Sequence, residues 1–101
     1  MPKLNTVREV ERGEILRYLA EAGFHWVAPT ELLVYLDSRA LPITRKQLEF
    51  HLNYLREKEF IAIEMEPKQL GEEQQILTVK ITSAGIDLLD RRGKGDPGVR
   101  F

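Results

Sequence analysis

Apolar residues recur along the first quarter of the chain at helical spacing. Val7, Val10, Ile15, Leu16, Leu19 and Ala22 form a stripe near the 3.6-residue period and predict a helix over residues 6–22. Arg8, Glu9, Glu11, Arg12, Glu14 and Arg17 fall on the opposite face, expected to be wet, with some paired at i,i+3 or i,i+4. Gly13 interrupts this helix at a cost of about 1 kcal/mol relative to alanine, which points to a bend or a close approach there. Gly23 supplies a stop. Phe24-His25-Trp26-Val27 is short, aromatic and β-prone, suited to pairing with a later hairpin as a third strand. Pro29 and Thr30 open a second helix, ending at Asp37 or Ser38, with Leu32, Leu33, Tyr35 and Leu36 as its core-facing residues. Pro42 ends any helical drift in the turn that follows.

Thr44 then starts a third helix over residues 45–58. It is a good N-cap, and Gln47 stands where its side chain can return a hydrogen bond to the cap's own N–H. Ile43 and Leu48 occupy the positions of a hydrophobic staple. Leu48, Leu52 and Leu55 recur at four and three residues, which aims all three inward. After Phe60 the period changes to two. Ile61, Ile63 and Met65 share one face against Ala62 and Glu64, and Leu77, Val79 and Ile81 repeat the alternation beyond a loop over residues 67–75. The two runs predict a β-hairpin with a long tip.

Thr82 caps a last helix over residues 83–91, with Ala84, Ile86, Leu88 and Leu89 apolar. The breaker-rich run that begins at Gly93 predicts a flexible tail over residues 93–101. No internal repeat or linker is visible, so residues 1–92 read as one domain. The expected fold is α+β, a winged helix-turn-helix: a three-helix core, a β-hairpin wing and a C-terminal helix.

A chain of 101 residues can bury a single core without staples. The absence of cysteine excludes disulfides and thiolate metal sites. No apolar run approaches the roughly 20 residues that span a bilayer, so no membrane association is expected and the cytoplasm is the expected address. A net charge of −1 and a pI near 6.1 are unusual for a nucleic-acid binder. The distribution is more informative. Residues 44–58 carry four cations against two carboxylates, residues 64–75 one against four, and residues 90–101 four against two. Near-neutrality thus hides a basic helix, an acidic hairpin and a basic tail.

A sharply capped helix with polar residues in its first turn, followed by a short alternating strand, is how a helix-turn-helix presents its reading helix to DNA. On that reading Thr44, Arg45, Lys46 and Gln47 lead. Arg45 or Lys46 meets phosphate or guanine, and Gln47 meets adenine. Glu49, His51 and Tyr54 fall near the exposed face, with Tyr54 and Asn53 in reach of phosphate or sugar. Arg56 supports through phosphate, and Lys68 reaches the backbone from the hairpin tip. Each residue has a plainer reading: a solvated helix start, a tyrosine covering the core edge, a hairpin held off DNA by its glutamates. Arg91, Arg92, Lys94 and Arg100 likewise form either a phosphate-tracking arm or an ordinary basic terminus.

Catalysis finds no support. His25 and His51 lie far apart, without metal-ligand spacing. Ser38 and Ser83 lack a nucleophile elbow. Gly93-Lys94-Gly95 follows a helix and opens no βα turn. No enzyme activity, metal or cofactor is expected. Phe24, Trp26, Phe50 and Phe60 read as packing.

The stretch from Thr44 to Ile61 resembles the recognition helix and following strand of bacterial winged-helix regulators of the MarR, PadR and ArsR kind. Leu55, Phe60 and Ile61 match their Leu-x-x-x-Gly-Leu-Ile exit, and the run from Ile81 to Leu89 is similar to their Leu-Thr-x-x-Gly-x-x-Leu-Leu segment. The resemblance spans residues 7–91 and is one of fold, with no single family resolved. It implies double-stranded DNA binding as a homodimer, with the third helix in the major groove. The sequence departs from the pattern at Glu59, where glycine is usual, at Phe50 and Asn53, where basic residues are common, and at Glu72 and Glu73 in the wing. The departures bear on affinity and wing contact, and the acidic hairpin and near-neutral pI favour a rival reading: a winged-helix module holding a protein partner, for example in a phage, transcription or replication assembly.

Overall fold

The Thr44 hydroxyl accepts the Gln47 N–H at 3.1 Å, and the Thr44 N–H donates to Gln47 Oε1 at 3.0 Å. Both halves of the capping box are therefore made, and the helix that follows, α3, spans Arg45–Glu57. The computed structural model of the chain describes residues 4–66, 71, 74–91 and 93–101. Before α3 come α1, Leu4–Glu21, and α2, Pro29–Ser38. After it come β1, Ile61–Met65, β2, Ile76–Ile81, and α4, Ser83–Leu89. The result is an α+β fold of four helices and one antiparallel hairpin, compatible with a winged helix.

Leu48, Leu52 and Leu55 are fully buried, as their spacing predicts. They close one core with Ile15, Leu16 and Leu19 of α1, Leu32 and Leu36 of α2, and Val79 and Ile81 of β2. Ile61 pairs with Ile81 and Ile63 with Val79, so the inner face of the hairpin is aliphatic. The register shifts at Glu64/Met65, where Glu64 faces Thr78 and Met65 faces Ile76. The slip reverses the simple alternation: Ile76 is buried and Leu77 is turned out to solvent. The segment before α2 forms no third strand among the described residues and meets the hairpin at a single bridge. Val27 exchanges both backbone hydrogen bonds with Val79, at 2.7 and 2.9 Å.

The exit of α3 keeps a left-handed residue although no glycine stands there. Glu59 has φ of 66°. Its N–H donates to the Arg56 carbonyl and that of Phe60 to the Leu55 carbonyl, the paired bonds of a Schellman motif. The Thr82 hydroxyl donates to the Glu59 carbonyl at 2.7 Å and accepts the Gly85 N–H at 3.2 Å, so one side chain holds this turn and caps α4.

Two expectations need correction. Glu11 and Arg12 do not lie on a wet face; both are buried where α1 meets α3. The flexible tail expected over residues 93–101 is instead packed at residues 96–101. Val99 is buried, the Arg100 N–H donates to the Glu9 carbonyl at 3.0 Å, and Arg12 Nη1 donates to the Gly98 carbonyl at 2.9 Å. Gly13 permits this, because a Cβ there would overlap the Arg100 carbonyl. The tail is held by backbone and charged groups, which leave no periodic trace, and it belongs to the same folded unit as the helices. No helix among the described residues is long and apolar enough to cross a membrane.

Candidate nucleic-acid interface

With three leucines of α3 turned inward, its outward face is decided by the helical period. Lys46, Phe50, Asn53 and Glu57 recur at four, three and four residues, and all four are exposed. Phe50 stands near the middle of this stripe, 65% exposed. One flank faces the hairpin and carries Arg45, Glu49 and Arg56. The other faces α1 and carries His51, Tyr54 and Lys58.

The residues expected to meet DNA divide by this geometry. Lys46 and Arg56 are exposed and form no ion pair among the described residues. Thr44 is exposed but engaged in its cap, and Gln47 is half-buried with its carbonyl in the same box. Arg45 is half-buried and folded toward the hairpin. Its Nη2 donates to the Ile76 carbonyl at 3.4 Å, and its Nε is buried with no partner among the described residues. Glu49 lies beside it, lining a cavity of about 240 Å³ with Gln74 and Gln75. Lys68, Glu72 and Glu73 of the hairpin tip and Arg92 of the tail lie outside the described residues.

His51 is the clear correction. It is 1% exposed and points into the α1 contact, where Nε2 lies 2.9 Å from Glu11 Oε1 and Nδ1 lies 3.0 Å from Arg12 Nε. It belongs to a buried polar network and not to a DNA-facing surface. Burial pushes its pKa below the ordinary value, the Arg12 charge adds to that, and the bond to Glu11 opposes it.

Tyr54 is half-buried and committed as well. Its hydroxyl donates to Asp96 Oδ2 at 2.6 Å, and the Arg12 guanidinium lies 4.2 Å from its ring centre. Burial, then the bond to Asp96 and that carboxylate's charge, push the phenol up to about 12. Burial alone would raise the Asp96 carboxyl. Bonds from Tyr54 and the Gly98 N–H, with Lys58 at 3.5 Å, reverse this and hold it below its usual value.

Asn53 is exposed, as its expected reach to phosphate or sugar requires, whereas Phe50, expected to pack, lies on the outward stripe. Counting four residues on from Lys46 identifies Phe50 as outward. The sequence reading also missed the group formed by Arg12, Lys58 and Asp96, which joins residues 38 to 84 positions apart and has no local signature.

No protein-family model matches the chain, and no curated protein matches it. Among solved structures, the chain is similar to a candidate transcriptional regulator from Thermoplasma acidophilum, with a TM-score of 0.69 and 16% sequence identity. The similarity covers 92% of this chain and 84% of that one. At this identity what the two proteins share is the fold: helices and a hairpin arranged in the same way around one core.

Proposed function

We propose that the chain is a winged helix-turn-helix protein that binds double-stranded DNA with α3 in the major groove and acts as a transcriptional regulator. The observation that carries this reading is the outward stripe of α3, exposed along its length while the opposite face is fully buried. Its side chains suit base readout. Lys46 can meet guanine or phosphate, Asn53 can hold adenine through N6 and N7, and Phe50 can lie against a thymine methyl. Arg56 serves phosphate from the flank. The likeness in fold to a candidate regulator supports the same reading. It requires no cofactor, metal or catalytic step, and it places the protein in the cytoplasm. As a homodimer the protein would meet half-sites about 34–36 Å apart, and sedimentation that finds only monomer at tens of micromolar counts against that arrangement.

A second reading, a protein-binding module, is favoured by two observations: the exposed Phe50 ring at the middle of α3, and the folding of Arg45 onto the hairpin. Fluorescence anisotropy with random and genomic duplexes at two ionic strengths separates the readings. DNA binding predicts that log K falls with log salt at a slope of about −0.9 per phosphate contacted. It also predicts that a Lys46→Ala, Arg56→Ala double variant loses affinity while its circular dichroism is unchanged. Undiminished binding by that variant favours the protein partner.

A further inference from the structure

Residues 96–101 cross the flank of α3 that borders α1 and engage the strong donors found there. Tyr54 donates to Asp96 Oδ2, and Lys58 Nζ lies 3.5 Å from Asp96 Oδ1. Arg12 Nη1 donates to the Gly98 carbonyl, and the Arg12 guanidinium is stacked on the Tyr54 ring. Two cations and a phenol, drawn from α1 and α3, thus converge on one carboxylate and one carbonyl. Arginine, lysine and tyrosine are donors that DNA-binding proteins direct at backbone phosphates. The group also borders the outward stripe, since Tyr54 lies one helical turn beyond Phe50.

The geometry points to an intramolecular stand-in for phosphate: residues 96–98 fill a clamp made by Arg12, Tyr54 and Lys58, with the Asp96 carboxylate on Tyr54 and Lys58 and the Gly98 carbonyl on Arg12, and duplex DNA competes with these residues for it. The inference rests on the DNA-binding reading of α3. A carboxylate and a phosphate oxygen make the same demand on these donors, a charged acceptor within hydrogen-bond reach. Exchange requires little of the molecule to move, because the burial of Val99 in the core and the Arg100–Glu9 bonds to α1 hold the segment without the Asp96 carboxylate. In the closed state Lys58 is paired with Asp96 and Arg12 is buried with its Nη1 on the Gly98 carbonyl, so both add little to non-specific binding. Opening adds them to the DNA-facing surface beside Lys46.

Full-length variants test this by anisotropy with a random-sequence duplex between about 50 and 200 mM salt. Asp96→Asn keeps the shape and an acceptor but removes the charge. Asp90→Asn makes the same charge change at an exposed carboxylate with no ion pair among the described residues. Gly98→Ala changes no charge and sets a Cβ against the Tyr54 hydroxyl, which lifts the segment away. The expected result is that Asp96→Asn binds about threefold or more tighter than Asp90→Asn, with a salt slope steeper by about 1–2. Gly98→Ala should tighten binding relative to wild type in the same way, and Asp96→Asn carries the test alone if Gly98→Ala does not fold. Equal affinities for Asp96→Asn and Asp90→Asn overturn the clamp and leave the DNA-binding reading standing. Absence of duplex binding by the wild type and every variant at low salt overturns both.

Discussion

Arg12 Nε donates to His51 Nδ1 at 3.0 Å across the contact between α1 and α3. A guanidinium only donates, so Nδ1 must be the unprotonated nitrogen, and the ring proton sits on Nε2 facing Glu11. The three side chains form a directed chain of hydrogen bonds that a protonated imidazole would break at Arg12. Because burial holds His51 below its ordinary value of 6.5, the unfolded chain takes up a proton more readily than the folded one. Stability is therefore complete above about pH 6.5 and falls as the pH drops below it, until the folded-state pKa is passed. An NMR titration of the imidazole should show the neutral Nε2–H tautomer at neutral pH and a midpoint below 6.5. A midpoint above that value contradicts this account.

Glu59 offers a stabilising substitution. A left-handed backbone costs a residue with a Cβ about 1–2 kcal/mol, while glycine loses roughly 0.5–1 kcal/mol in chain entropy on folding. Glu59→Gly should therefore gain up to about 1 kcal/mol, raising Tm by several degrees in a domain of this size. Ala40, with φ of 60° at the end of α2, should respond in the same direction. Glu57→Gly, at the last residue of α3 where the backbone is still right-handed, should lower Tm and serves as the control.

Thr44→Ala removes the acceptor for the Gln47 N–H and leaves only the backbone N–H that donates to Gln47 Oε1, so it should cost about 1 kcal/mol. The urea midpoint should fall with the m-value unchanged. An altered m-value would mean that α3 starts elsewhere in the variant.

At Gly13 two physical effects have opposite signs. Alanine inside a helix is favoured over glycine by about 1 kcal/mol, but a Cβ here meets the Arg100 backbone. Gly13→Ala should thus be destabilising, and thermal unfolding reads the sign directly. A raised Tm would mean that the tail does not lie on α1.

These sites show what the sequence made legible. The helix order, the Thr44 cap, the inward leucines and the hairpin all follow from local rules, because each depends on the pattern of residues a few positions apart. Glu11, Arg12 and His51 were misplaced because charged residues in an amphipathic helix ordinarily face water. Their burial is tolerable because Arg12 and His51 bond across 39 residues, His51 and Glu11 across 40, and Arg12 and Gly98 across 86, with Arg8 as Glu11's local partner. Residues 96–101 were read as frayed because glycine and proline dominate there, yet their anchors are a carboxylate, a carbonyl and an amide. Arg45 was placed at the groove because its position in the first turn says nothing about the nearby Ile76 carbonyl. In each case a long-range hydrogen bond overrides a correct local expectation.

The reciprocal bonds between Val27 and Val79 have a mechanical consequence. They weld the lead-in to α2 onto the middle of β2, so the hairpin base cannot slide relative to the helical layer unless both bonds break. A force that reorients α2 reaches β2 through this backbone pair as well as through the shared core, and strain on the hairpin returns by the same routes.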